Sequence, residues 1–345
     1  MTGEGSRVLV TGSAGFIGGY LVAELLRHGH QVVGVDNLSK YGQVARSYDG
    51  DPSYTFVNGD CRDADLMRRL IEGCDHLVAG AARIGGISYF HRYAYDILAD
   101  NERILAATFD AAIEAHRDRR LRKITVLSSS MVYENATVFP TPEGHERACP
   151  PPYSAYGFQK LACEYFARAA RSQHGLPYTV LRPFNCVGVG EQRAVGGAEI
   201  ASGNVSLALS HVVPDLVQKV LKGQDPLHIL GDGDQVRHYT YGGDLARGIR
   251  LSLECEGALD EDFNLSTATS TTVRELAAAI WRRVHGPDRP LRLVSDPPYE
   301  HDVQRRVPDT AKAQRVLGFE AETTLEAMLD EVIPWVREQI ARGTI

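Results

Sequence analysis

The stretch RVLVTGSAGFIGGYL, Arg7–Leu21, decides how the rest of the chain is read. RVLVTG (Arg7–Gly12) is a short β-branched apolar run that stops at glycine, the pattern of a buried strand. From Phe16, FIGGYLVAELLRHGH carries apolar residues at helical spacing and stops at Gly29. Between strand and helix, Gly12, Gly15 and Gly18 stand three apart. Glycine permits the sharp turn and lets the backbone come close to a pyrophosphate. The helix N-terminus, at Phe16 and Ile17, offers that anion free N–H groups and the positive end of a dipole. Glycine loops also make plain turns, but this one lies where dinucleotide binding requires it, with the strand before and the helix after.

A second strand, QVVGVD, closes on Asp36, with Asn37 next to it. A carboxylate there can accept hydrogen bonds from the adenosine ribose diol and would repel a 2′-phosphate, which favours NAD over NADP. In NGD, after the following strand, Asp60 stands before Cys61. Asp60 either reaches the adenine amino group or stabilises its own turn.

Further strands are expected at YTFVNGD, HLVAGAA, KITVLSSS and YTVLRPFN, with helices between them, notably over 101–115 and 156–174. That alternation predicts an α/β fold, a Rossmann-type doubly wound parallel sheet, with a smaller C-terminal α/β substrate lobe. The expected division is 1–185, plus about 236–258, for the nucleotide-binding domain, and 186–235 and 259–345 for the lobe. In the lobe, VVPDLVQKVLKG reads as a helix, and Thr272 with Glu275 reads as a capping box.

Composition narrows the class. The chain has 345 residues, 43% hydrophobic, and a net charge of −7, which argues against a general nucleic-acid binder. No apolar run approaches the roughly 20 residues of a membrane span, and no secretion signal is visible, so a cytoplasmic location is expected. The six cysteines form no C-x-x-C and read as packed, reduced thiols. The twelve histidines show no metal-type pairing, so no metal is expected.

Chemistry is suggested by LSSSMVYE (Leu127–Glu134) and YSAYGFQK (Tyr153–Lys160). Tyr156 and Lys160, four apart, share one helix face. A free tyrosine, with a pKa of about 10, is a poor base at neutral pH, and a neighbouring ammonium favours its phenolate. Such a tyrosine can take a proton from a sugar hydroxyl while NAD+ takes hydride from the same carbon.

With these elements in order, the chain resembles the extended short-chain dehydrogenase/reductases, the NAD-dependent epimerase/dehydratase family acting on nucleotide sugars. The resemblance runs through VTGSAGFIGGYL, VDNLS, NGDCRD, AARIGGI, SSSMVYE, YSAYGFQK, LRPFNCVGVGE, GDGDQVRHYTYGGDLARG and DTAKAQRVLGF. It implies that Ser129, rather than Ser128 or Ser130, is the catalytic serine. It implies that Tyr156 is the base and that Lys160 is its electrostatic partner and a ligand of the nicotinamide ribose. It places Asn185 and Arg237 on the sugar diphosphate, which suits an arginine fork. It also implies a homodimer through the helices before and including Tyr156. In YEHDVQRR, Tyr299 stands where many UDP-sugar members have an arginine, and Arg305 or Arg306 supplies the charge, with Arg306 matching the spacing of the GDP-sugar branch.

Two positions separate the chemistries. Dehydratases of the family carry an acidic pair just after the catalytic serine; here Ser130 and Met131 stand there, and a thioether cannot protonate a leaving hydroxyl. The resemblance therefore disfavours dehydration and decarboxylation. Branches that epimerise C3 and C5 carry a cysteine at the Met131 position. The fucose-synthase branch adds a histidine that corresponds to His211, followed by Val212. The simpler expectation is epimerisation at C4 through a transient 4-keto sugar, with His211 and Val212 lining the substrate pocket. The alternatives are a C3/C5 epimerase or epimerase-reductase of a GDP- or ADP-sugar, and, from another class, a non-catalytic NAD-binding regulator. The presence of Ser129, Tyr156 and Lys160 together speaks against the last.

Overall fold

The computed structural model describes residues 5–84, 93–118, 120–191, 200–202, 205–207, 211–298 and 302–345. Gly85–Ile87 of the AARIGGI motif and Tyr299 lie outside these residues. Six strands come first, β1 (Arg7–Thr11), β2 (Gln31–Asp36), β3 (Tyr54–Asn58), β4 (His76–Ala79), β5 (Lys123–Leu127) and β6 (Tyr178–Pro183). The helices among them are α1 (Phe16–Arg27), α2 (Ala64–Ile71), α3 (Ala94–Arg117) and α4 (Ala155–His174). The large sheet is parallel throughout, in the order Glu261–Leu265, β6, β5, β4, β1, β2, β3. The strand order reverses between β1 and β4, and in such sheets a crevice opens there, outside the carboxyl ends of the strands.

Alternation along the strands feeds two cores. Leu9, Val33, Leu77 and Val126 pack against Met67, Phe109 and Cys163 of α2, α3 and α4. Val8, Val10, Val32 and Val78 face the other way, onto Leu21 and Leu25 of α1. Two further helices, α5 (Val212–Leu221) and α6 (Gly242–Glu254), follow β6, and α6 adds Leu245 and Ile249 to that second face. Each such side chain, fully buried, contributes roughly 1.5–3 kcal/mol. The smaller lobe has its own core, in which α5, α7 (Val273–His285) and α9 (Leu325–Arg342) bury Leu216, Leu276, Trp281 and Leu329. The expected capping box opens α7: the Thr272 hydroxyl accepts from Glu275 N–H (3.1 Å), and the Glu275 carboxylate accepts from Thr272 N–H (2.8 Å).

The expected boundary after 258 differs from the structure in one respect. Glu261–Leu265 is the edge strand of the large sheet, in register with β6, and Phe263 and Leu265 are buried in its core. The helix α8 (Ala311–Leu317) covers that edge through Ala313 and Leu317. Segment 259–345 is thus divided between sheet and lobe. The physical reason is that EDFNL buries only alternate apolar residues, too short a pattern to stand out locally.

His76, at the start of β4, is 7% exposed and its Nδ1 lacks a partner. Burial, then the charge of buried Lys123, pushes its pKa down to about 4. The folded chain therefore binds fewer protons than the unfolded one between pH about 6.5 and about 4. Stability should fall as the pH drops through that window, by roughly 3 kcal/mol from this group. His76→Leu should flatten that part of the curve, as read from urea unfolding midpoints at successive pH values.

Candidate active site

A cleft of about 1100 Å³ opens at the carboxyl ends of the sheet and is walled on its far side by the lobe; apart from Arg305, every site residue singled out from the sequence that lies among the described residues lines it. The glycine loop forms one end. Gly12 has φ +74°, and its N–H donates to Val35 O (2.8 Å). A Cβ on Gly18 would lie 2.1 Å from Gly12 O, and one on Gly15 would lie 3.0 Å from the same atom. The three glycines therefore let α1 press its N-terminus against the turn, with Phe16 and Ile17 at the cleft. Asp36 stands across the loop, accepting from Ala14 N–H (3.2 Å) and Leu38 N–H (2.8 Å). Burial raises its pKa, against the pull of those donors. This cradle, with an acceptor at the end of β2, fits an adenosine diphosphate moiety with a free ribose diol.

Asp60 is tied down. Arg62 reaches both its oxygens (2.7 and 3.0 Å) and Asn37 donates to it (3.3 Å), so its pKa drops to about 2, chiefly through the Arg62 hydrogen bond. The turn-stabilising role is thus present, and Arg62, which the sequence did not single out, provides it. Cys61 is buried, and desolvation pushes its thiol up to about 12.

The end of β5 sorts the three serines. The Ser128 hydroxyl turns into the core and donates to Glu164 (2.6 Å). Ser129 caps the following turn, its hydroxyl accepting from Met131 N–H (3.2 Å), and lines the cleft beside Ser130. Helix α4 starts at the Ser154 cap, which accepts from Gly157 N–H (3.0 Å) and donates through its hydroxyl to Glu134 (2.9 Å). One turn in, Tyr156 and Lys160 face the cleft. Lys160 Nζ donates to Leu127 O (2.7 Å) and sits 5.9 Å from the centre of the Tyr156 ring. The carbonyl at the end of β5 thus fixes the ammonium near the phenol.

Opposite lie the arginines. Val236 N–H donates to Gln304 O (2.8 Å) and Arg306 N–H to Val236 O (3.2 Å), so that Arg237 and Arg306 stand close together. Arg237 reaches Asp302 (3.3 Å). Arg306 donates to Asn185 Oδ1 (3.3 Å) and to the Met131 sulfur (2.8 Å), while its Nε has no partner. Burial, and then the charge of Arg237, pushes Arg306 down to about 9. Two guanidiniums that repel each other near one carboxylate make a site for an anion. Arg305 instead stacks on Phe139 at 4.9 Å, which singles out Arg306 of the pair. Asn185 adopts φ +35°, a region that asparagine tolerates, and donates to His238 O (3.3 Å).

His211 caps α5, with Val212 after it. Its backbone N–H donates to Glu191 (3.3 Å), and its ring Nδ1 bonds the same oxygen. The Glu191 charge raises the pKa of His211. Burial alone would raise the Glu191 carboxyl, but His211 and Lys40 outweigh it and hold it low. Glu191 and Lys40 were not found from the sequence, and neither were Gln235 and Tyr239, whose Oε1 and Oη are buried at the cleft without partners. The Cys186 thiol is pushed well up, by desolvation and then by Glu191, which makes it a poor proton carrier.

A doubly wound sheet, a glycine cradle with Asp36, and Ser129, Tyr156 and Lys160 on one cleft define a dinucleotide-dependent enzyme of the Ser–Tyr–Lys type. The chain belongs to the NAD dependent epimerase/dehydratase family, whose model matches residues 8–266, and NAD is its cofactor. It is 28% identical to the UDP-glucose 4-epimerase of Mycolicibacterium smegmatis, over 96% of this chain and 99% of that one. The solved UDP-glucose 4-epimerase of Thermotoga maritima, with UDP-glucose, superposes with a TM-score of 0.80 at 28% identity, over 97% and 99% of the two chains. DesIV, a dTDP-glucose 4,6-dehydratase from Streptomyces venezuelae with NAD bound, gives 0.80 at 25% identity, over 97% and 98%. The chain is accordingly an NAD-dependent enzyme acting on nucleotide sugars.

Proposed function

We propose that the protein epimerises a nucleotide-diphosphate sugar at C4 through a transient 4-keto sugar. The observation that carries this reading is the wall beyond Ser129. Tyr156 and Lys160 stand ready, yet the two positions that supply acids in the dehydratases hold Ser130 and Met131, and the Met131 sulfur is packed on Arg306. Held by the glycine loop and Asp36, NAD would supply the hydride acceptor and donor for the sugar carbon.

The chain does the rest. The glycine loop and Asp36 hold the adenosine diphosphate half of the cofactor. Arg237, Arg306 and Asn185 hold the diphosphate of the sugar nucleotide. Ser129 orients the C4 hydroxyl, and Tyr156 removes its proton and later returns it. Lys160, anchored on Leu127 O, keeps a positive charge beside the phenol. The 28% identity to 4-epimerases along nearly the whole chain supports this assignment. Tyr95, Phe158 and Tyr165, exposed on α3 and α4, support a homodimer through those helices.

A second reading, proton exchange at C3 or C5, is favoured by one observation: His211 stands on the cleft wall with a carboxylate behind it. The two separate in heavy water. Product formed by the C4 route should contain no deuterium at C3 or C5 by mass spectrometry and NMR; incorporation there would overturn C4 epimerisation.

A further inference from the structure

Glu191 has no place in the chemistry derived so far, yet it is 5% exposed and one of its oxygens accepts both the backbone N–H and the ring Nδ1 of His211. That double contact fixes the ring on its own backbone. The chain leading to Glu191 is itself fixed. Cys186 and Val187 pair with Thr240 and Tyr241, and Val189 N–H donates to the hydroxyl of Tyr20 on α1 (2.9 Å). A Cβ on Gly188 would lie 2.4 Å from that hydroxyl, so glycine is what lets the segment pack closely on Tyr20.

With Nδ1 facing Glu191, Nε2 is the ring atom left for the cleft, and the His211 side chain is 46% exposed there. Neutral imidazole with its proton on Nδ1 offers the cleft an acceptor, whereas imidazolium offers a donor. An anion needs the donor. His211 also caps α5, whose first residues, Val212 and Val213, line the same cleft at the positive end of the helix dipole.

We propose that Glu191 is a positioning residue that holds His211 as a cationic N–H donor to the diphosphate of the nucleotide sugar. This rests on the nucleotide-sugar reading of the cleft and makes substrate binding proton-linked. Among the described residues, the charged groups that face the ring are Glu191 from the segment after β6, Lys40 from the loop after β2, and Asp215 from α5 itself. Glu191 and Asp215 favour the cation, and Lys40 opposes it. The folded-state pKa of His211 lies above its ordinary value, so the added affinity persists to higher pH than an unpaired histidine would allow and is lost as the pH rises through that raised value.

The test uses the NAD-loaded protein and four probes, UDP, UMP, GDP and GMP, with dissociation constants measured by calorimetry between pH 6.5 and 9.5. The wild type should bind one diphosphate more tightly than its monophosphate, and that ratio should shrink with rising pH. Glu191→Gln should reduce the ratio roughly tenfold at pH 7, the scale of one charge-assisted hydrogen bond. His211→Arg, a cation that needs no Glu191, should keep the ratio and remove its pH dependence. An unchanged ratio in Glu191→Gln and a flat wild-type pH profile would overturn the role of Glu191 while leaving the nucleotide-sugar reading intact. If no diphosphate binds the wild type, both fall. Should Glu191→Gln not fold, the wild-type profile and His211→Arg decide alone. In turnover, the proposal requires Glu191→Gln to raise KM rather than lower kcat; the reverse would make His211 a proton-transfer group and sink the proposal.

Discussion

Tyr156→Phe should lower turnover of the nucleotide sugar by about a thousandfold, the scale of a lost general base, while the protein still binds NAD. The substitution removes one oxygen from a residue that is 6% exposed, and the phenyl ring fills the same space on α4. Lys160 stays in place because its ammonium is held by Leu127 O, not by the phenol. The glycine cradle and Asp36 lie at the other end of the cleft and are untouched. Loss of rate with cofactor retained is therefore expected, measured as kcat on the sugar nucleotide that a binding screen selects and as NAD released on denaturation. The same result separates an enzyme from an NAD-binding regulator, for which the phenol would be dispensable. Turnover equal to that of the wild type would remove Tyr156 from the chemistry and leave Ser129 and Lys160 without a function.

What could be seen in the sequence follows from how far each interaction reaches along the chain. The strand, glycine loop and helix of Arg7–Arg27 are encoded by neighbours, so spacing alone identifies them. Tyr156 and Lys160 are one helical turn apart and are likewise visible. Ser129 could be told from Ser128 only by resemblance; the physical distinction, the bond from Ser128 to Glu164, spans 36 positions. Glu191 escaped notice because it sits in a glycine-rich stretch and its partner His211 lies 20 residues further on. The contact between Arg306 and Met131 joins residues 175 apart, so the loss of an acid at Met131 was readable but its packing on a guanidinium was not. The edge strand Glu261–Leu265 is defined by pairing with β6, some 80 residues earlier, and shows no long apolar run of its own.

Arg182→Met should cost roughly 3–5 kcal/mol of stability, more than any other single change considered, because it strands buried carboxylates. Arg182 is fully buried on β6. Its guanidinium grips Glu164 through two hydrogen bonds (2.8 and 2.7 Å), approaches Asp262 (2.7 Å) and Glu146 (3.3 Å), and donates to the Tyr133 hydroxyl (2.7 Å). Arg168 lies at 3.5 Å or more from its two carboxylates, and Lys312 serves Asp262 from the rim, so neither can replace the central cation. Methionine fills much of the volume, which makes uncompensated charge the main loss. Burial alone would raise the Asp262 carboxyl, but Arg182 and Lys312 hold it below the usual range. Stability from that group is present above the ordinary carboxylate pKa and lost as the pH falls through the depressed value. Without Arg182 that depression shrinks, so the gap between variant and wild type should stay constant above the ordinary carboxylate range and narrow only as the pH falls below about 4. Chemical denaturation at pH 7 and at about pH 3 measures both effects. Adding Glu164→Gln should recover part of the loss, since it removes one of the stranded charges. The damage should also reach the cleft. Glu164 anchors the Ser128 hydroxyl, next to Ser129, and Tyr133 closes the turn that Ser129 caps. A stability within about 1 kcal/mol of wild type would mean that water or a shifted lysine neutralises the site, and that the position of Ser129 does not depend on this buried ion cluster.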